Sequence, residues 1–154
     1  MQTNTPILRA NLGIPGSGKS TYAATTGMVV VNRDQTRFSL YGKWFTGIPS
    51  HEDEVTKVNQ QLIVDAITAG KSVIEDDTHM SIKSLESLER LARRLGLAQV
   101  EWVDFTDVPL TVCKERNAKR DRVVPDHVLD SMHSRIPQIV SYLSKNPFFK
   151  KVSA

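Results

Sequence analysis

One cysteine, Cys113, stands in 154 residues, so no internal disulfide can form and a reducing, cytosolic setting is the expectation. No apolar run approaches the roughly 20 residues that a membrane span needs. The opening "MQTNTPILRA" lacks the basic start and long apolar stretch of a signal peptide. These absences point to a cytoplasmic protein without a membrane partner. Internal repeats and low-complexity tracts are missing, which excludes a solenoid or a biased tail. An excess of one charge sign is also missing: 20 Lys and Arg face 17 Asp and Glu, a net +3. That balance alone does not mark a polyanion partner, so the position of the cations carries the argument. The length suits one substantial core, and a single domain over 1–154 is expected.

What is present is an alternation. "ILRANLG", "MVVVN" (Met28 to Asn32), "SVIED" (Ser72 to Asp76) and "QVEWVDF" (Gln99 to Phe105) read as strands. Helical patterns fall between them, over 19–26, 34–43, 52–69, 81–95 and 109–118. In 53–69 the apolar stripe runs through Val55, Val58, Leu62, Ala66 and Ala69. This order predicts an α/β fold with a central parallel sheet of about four strands and helices on both faces. In such sheets ligands bind beyond the carboxyl ends of the strands. "RIPQIVSYLSKNPFFKKV" is expected to form a short C-terminal helix and a basic tail.

At the first strand end stands "GIPGSGKST". Gly13, Gly18, Lys19 and Ser20 satisfy G-x-x-x-x-G-K-[ST], the loop that cradles phosphates with backbone N–H groups. Gly13, Pro15, Gly16, Ser17, Gly18, Lys19, Ser20 and Thr21 are thus the candidate nucleotide-binding residues. Lys19 would reach the β- and γ-phosphates of ATP or another NTP, and Ser20 would hold Mg²⁺. Kinases, GTPases and motor ATPases share this loop, so it leaves the acceptor open.

Asp34 follows the second strand, where a carboxylate can accept the proton of an attacking hydroxyl or order the waters of Mg²⁺. Arg37 is three residues on and shares a helical face with it. A guanidinium there suits a phosphate-bearing acceptor. The plainer reading is an N-cap aspartate beside a surface arginine. At the third strand end, "IEDDTHM" holds Glu75, Asp76 and Asp77. Asp77 or Thr78 could cap the next helix; otherwise Asp77 faces the site. No apolar run ending in a single Asp marks a standard Walker B.

The segment "CKERNAKRDR" places Lys114, Arg116, Lys119, Arg120 and Arg122 together, with Arg116 and Arg120 on one helical face. It reads as a basic helical lid over 114–125 whose arginines meet the triphosphate, or as a solvated, salt-bridged helix face. His51, His79, His127 and His133 show no metal-ligand spacing. Cys113 reads as a buried small residue. Tyr41, Trp44 and Phe45 could stack on a base, although core packing or loop anchoring is the preferred reading.

These pieces in this order, "GIPGSGKST", "NRDQTR", "DDTH", "KERNAKR" and the "VP" at Val124 and Pro125, resemble the kinase domain of the bacteriophage polynucleotide 5′-kinase family. The resemblance spans Gly13 to about Arg135. It implies a P-loop kinase fold and transfer of the NTP γ-phosphate to 5′-OH ends of DNA or RNA. It implies Lys19 and Ser20 on the donor phosphates and Mg²⁺, and Asp34 as general base. Arg37 would grip the acceptor's first 3′-phosphate, and Asp77 would orient cationic groups. Arg120, supported by Arg116, would act on the donor phosphates, while Val124, Pro125 and Val128 would line the acceptor entrance. The phosphatase domain of the family's two-domain members is not expected. A small-molecule kinase and a nucleotide-dependent binding module are the rival readings.

Overall fold

In the computed structural model, which describes residues 5–79 and 81–154, the four expected strands form and a fifth joins them. They are β1 (Leu8–Leu12), β2 (Val29–Val31), β3 (Val73–Glu75), β4 (Val100–Asp104) and β5 (Phe149–Val152). All pair in parallel, in the order β2-β3-β1-β4-β5. The fifth strand replaces the basic tail. Phe149 is buried while Lys150 and Lys151 stay exposed, and lysines on an edge strand discourage further pairing. Lys151 lies over the Trp102 ring at 5.4 Å and reaches Asp104 at 3.5 Å.

Among the described residues six helices cover the sheet: α1 (Lys19–Thr25), α2 (Arg33–Tyr41), α3 (Pro49–Thr68), α4 (Ile82–Arg94), α5 (Leu110–Ala118) and α6 (Asp126–Lys145). Their ends have local causes. Asn32 caps α2 by accepting the Gln35 N–H at 3.0 Å, and Ser81 caps α4 by accepting that of Ser84 at 3.2 Å. The cap of α4 is therefore Ser81 rather than Asp77 or Thr78. Gly42 ends α2 in the left-handed conformation at φ 67°. The C-terminal helix is long, not short: α6 runs 20 residues after its N-cap Pro125 and carries Pro137 inside it. An internal proline forfeits one helical hydrogen bond, which is why the sequence understates this helix.

Leu85, Leu88, Leu91 and Ala92 bury the inner face of α4, each leucine contributing about 1.5–3 kcal/mol of burial. On α3 the stripe is displaced from its expected line. Val55, Asn59, Ile63, Ala66 and Ile67 face inward, while Leu62 is 44% exposed. The buried Asn59 accounts for the shift, because it accepts the Thr36 hydroxyl hydrogen bond across from α2. No helix among the described residues is long and apolar enough to cross a membrane.

β1 is the centre of the sheet, and the chain leaves it for β2 and β3 on one side and β4 and β5 on the other. A crevice therefore opens beyond its carboxyl end. The glycine loop, the ends of β2 and β3, and the α5–α6 connection all meet there.

Candidate phosphotransfer site

Gly16 and Gly18 adopt φ 86° and 95°, a backbone that side chains rarely allow. A Cβ at Gly16 would also strike the Cys113 carbonyl oxygen of α5, so the loop and the basic segment touch through bare backbone. A Cβ at Gly13 would press on Ser17 Oγ at 2.5 Å and Phe105 Cβ at 2.9 Å. No side chain caps the first turn of α1, whose amides stay open to an anion. Pro15 and Ser17 are buried in the loop, and Ser20 and Thr21 are exposed.

Lys19 is 8% exposed, and no salt bridge reaches its ammonium among the described residues. Burial pushes its pKa below the ordinary lysine value, against the opposing charges of Asp76 and then Asp77. Asp76 is the acid that the sequence reading passed over. It is 2% exposed at the end of β3. Asn11 Nδ2 donates to its Oδ1 at 3.2 Å, and Asn32 Nδ2 donates to its backbone carbonyl at 2.6 Å. The adjacent acids in "EDD" hid it, because only pairing with β1 decides which one turns toward the loop.

Asp77 accepts the Arg33 N–H at 2.9 Å, tying β3 to the start of α2. Glu75, Asp77 and His79 bring ligand atoms within 4.8 Å of one another. That juxtaposition was invisible in the spacing because His79 enters a left-handed turn at φ 52°. Burial, and then the Asp77 charge, hold the Glu75 carboxyl well above the usual carboxylate range. Burial lowers the His79 imidazole. Asp77 also lines a cavity of about 520 Å³ with Arg33, Asn59, Glu75, His79 and Lys83.

Asp34 sits in the first turn of α2, which Asn32 caps, so the N-cap reading fails. Arg37 is no surface arginine, being 7% exposed. Its Nη1 donates to Asp34 Oδ1 at 2.7 Å and to the Trp44 carbonyl at 2.9 Å. Its Nε and Nη2 donate to Glu52 at 3.0 and 2.6 Å. Glu52 of α3 was not foreseen, since it lies 15 residues away and only the α2–α3 packing joins the pair. The Arg37 hydrogen bond holds its carboxyl below the ordinary value. Arg122 stands 3.6 Å from Asp34 Oδ2.

The basic segment divides. α5 ends at Ala118, so Arg120 lies in the following turn and shares no helical face with Arg116. Lys114 pairs with Asp130 at 2.8 Å and Lys119 with Glu115 at 3.9 Å, the solvated pairing expected of a charge run. Arg120 and Arg122 are half-buried, whereas Arg116 is exposed. Arg116 Nη1 donates to the Gly16 carbonyl at 3.3 Å. Arg120 has no carboxylate partner among the described residues, and burial and then Arg122 lower its pKa. The buried Asn117 closes the turn: its Nδ2 donates to the Val124 carbonyl at 2.7 Å, and its Oδ1 accepts the Val124 N–H at 3.1 Å. Val124 and Val128 are half-buried beside exposed Pro125. Cys113 is buried, as expected.

A glycine phosphate loop at the centre of a parallel sheet, with the arginines of the α5–α6 segment beside it, marks a nucleotide-binding P-loop kinase. The family model described as an AAA domain matches residues 10–139, and the chain belongs to that family. A protein of Autographa californica nuclear polyhedrosis virus, bearing the name bifunctional polynucleotide kinase/RNA ligase, is 28% identical over 127 residues. The match covers 74% of this chain and 18% of the viral protein. Among solved structures, a chain of the Pnkp1/Rnl/Hen1 RNA repair complex superposes with TM-score 0.79 at 24% identity, over 96% of this chain and 48% of that one. A gluconokinase from Sinorhizobium meliloti superposes with TM-score 0.54 at 16% identity, over 97% and 83%. The chain thus spans about a fifth of the viral relative and about half of the repair-complex chain.

Proposed function

We propose that this protein is a polynucleotide 5′-hydroxyl kinase, moving the γ-phosphate of ATP, or another NTP, to the 5′-OH end of DNA or RNA. The observation that carries the reading is Asp34, fixed by Arg37 at 2.7 Å and faced by Arg122 at 3.6 Å. A base between two guanidiniums suits an acceptor that carries its own phosphates. The names borne by the viral relative and the repair complex support the same class.

In this reading the acceptor's 5′-oxygen forms the new bond to the γ-phosphorus, and the bond to the β,γ-bridging oxygen breaks. The hydroxyl proton passes to Asp34, and the nucleoside diphosphate leaves. Lys19 and Arg120 offset the charge on the transferring group. Arg116 braces the loop through Gly16. Arg37 positions Asp34 and has one N–H left for the acceptor's first 3′-phosphate. The donor set fits a Mg²⁺-bound triphosphate, with the Ser20 hydroxyl exposed at the loop and the buried Asp76 carboxylate beside Lys19. Bound there, Mg²⁺ would neutralise phosphate charge. Asp77 orients neighbouring cationic groups, and Val124, Pro125 and Val128 flank the acceptor's entry. In this reading residues 1–154 hold a single P-loop kinase domain.

A panel of acceptors tests the proposal. Transfer to a 5′-OH oligonucleotide, with gluconate and free nucleosides left unmodified, is the expected result. Transfer to a sugar acid alone would replace it with a small-molecule kinase, and ATP binding without any transfer would indicate a nucleotide-dependent binding module.

A further inference from the structure

The end of α2 and the loop after it place aromatic rings at the surface. Phe38 is 43% and Phe45 is 80% exposed. Phe38 stacks on Trp44 with centroids 4.3 Å apart at 27°. The Arg122 guanidinium lies over the other partner of this stack, 4.7 Å from the Trp44 ring centroid. None of Phe38, Trp44 and Phe45 is among the residues of the hydrophobic core or those packed against it, so core packing does not account for the group, in which only Trp44 is half-buried.

This patch is continuous with the phosphotransfer site. The Trp44 carbonyl accepts from Arg37, the residue that fixes Asp34. Arg122 touches both the Trp44 ring and the Asp34 carboxylate. Exposed aromatic faces interleaved with a guanidinium are the means by which proteins hold unpaired bases, since every base offers a π-face. A nucleic acid strand offers both groups that this surface suits, bases for the rings and phosphates for the arginine, and the patch runs directly into the phosphotransfer site.

We propose that Phe38, Trp44, Phe45 and Arg122 form a stacking platform for the bases that follow the 5′-terminal nucleotide of a single-stranded acceptor. The proposal rests on the polynucleotide reading and deepens it, since it makes unpaired ends the preferred substrate. The platform lies outside the reacting atoms and acts on acceptor affinity.

The experiment compares KM for a nucleoside 3′-phosphate and for a single-stranded 5′-OH pentanucleotide, with ATP saturating. The wild type should bind the longer acceptor about tenfold better, the scale of one stacked base. Phe45→Ala and Phe45→Leu should abolish most of that gain, Phe45→Tyr should keep it, and KM for ATP should hold in all three. Because Phe45 is 80% exposed, these changes spare the fold. Equal KM values for the two acceptors in the wild type, or a gain that survives in Phe45→Ala, would overturn the platform and leave the kinase reading intact. A change of oligomeric state in Phe45→Ala, seen by sedimentation, would assign the patch to self-association instead. Failure of the wild type to phosphorylate either acceptor would remove the polynucleotide reading, and the platform with it.

Discussion

The two sides of the crevice hold their charges differently. On the donor side, Lys19 and Arg120 are inward and have no carboxylate partner among the described residues, and burial lowers the pKa of both. On the acceptor side, Asp34, Arg37 and Glu52 are bound to one another at 2.6–3.0 Å. Uncompensated buried cations are costly, and an arriving triphosphate relieves that cost. The acceptor side needs no ligand to hold its geometry, because its ion pairs already do so. In the proposed reading the donor side is thus organised by its substrate, and the acceptor side is organised in advance of it.

Substitutions can break this contrast. In the proposed reading Arg120 meets the triphosphate and offsets the further charge that develops in transfer, so Arg120→Ala should lower kcat roughly 10³–10⁵-fold, the range of an arginine finger, with acceptor KM unchanged. Asp34→Asn should lower kcat roughly 10²–10⁴-fold while ATP binding, read by calorimetry, persists. Retained turnover in that variant would refute the base assignment. Glu52→Gln loosens the pre-built side without touching the donor. It should cost about 1 kcal/mol, a value kept low because Glu52 is part-exposed and screened, and lower kcat with no effect on KM for ATP. Since Arg37 depresses the Glu52 pKa, the contribution of the pair is present above the ordinary value of 4.5 and is lost as pH falls through the depressed one. Acid melts of the wild type and variant should therefore converge below that pH.

The smallest effect is expected at Glu75, whose raised pKa favours the neutral acid. Its contribution is present below pH 4.5 and is lost as pH rises through the raised value. Glu75→Gln should melt above the wild type at pH 8, by roughly 2–4 °C for each kcal/mol gained, and the gap should close toward pH 4.

The same contrast decides what the sequence discloses. The donor loop is legible because its nine residues are contiguous and their glycines have a backbone cause. The strands β1 to β4 are legible as short runs rich in apolar and β-branched residues, although Val29 and Val30 of β2 are exposed. Arg37 could be placed beside Asp34 from their spacing, but its second carboxylate comes from another helix. Asp76 could not be separated from Glu75 and Asp77 without the sheet register. β5 was hidden by two exposed lysines, the line of α3 by a buried asparagine, and the exposure of Phe45 by the expectation that an aromatic residue packs inward.

The central claim is that the acceptor is a 5′-hydroxyl end. Its most direct test is transfer of labelled γ-phosphate from ATP with Mg²⁺ to a short 5′-OH oligonucleotide, beside the same oligonucleotide already phosphorylated at its 5′ end. The account predicts label on the first and none on the second. No label on either, with ATP still bound, would contradict it.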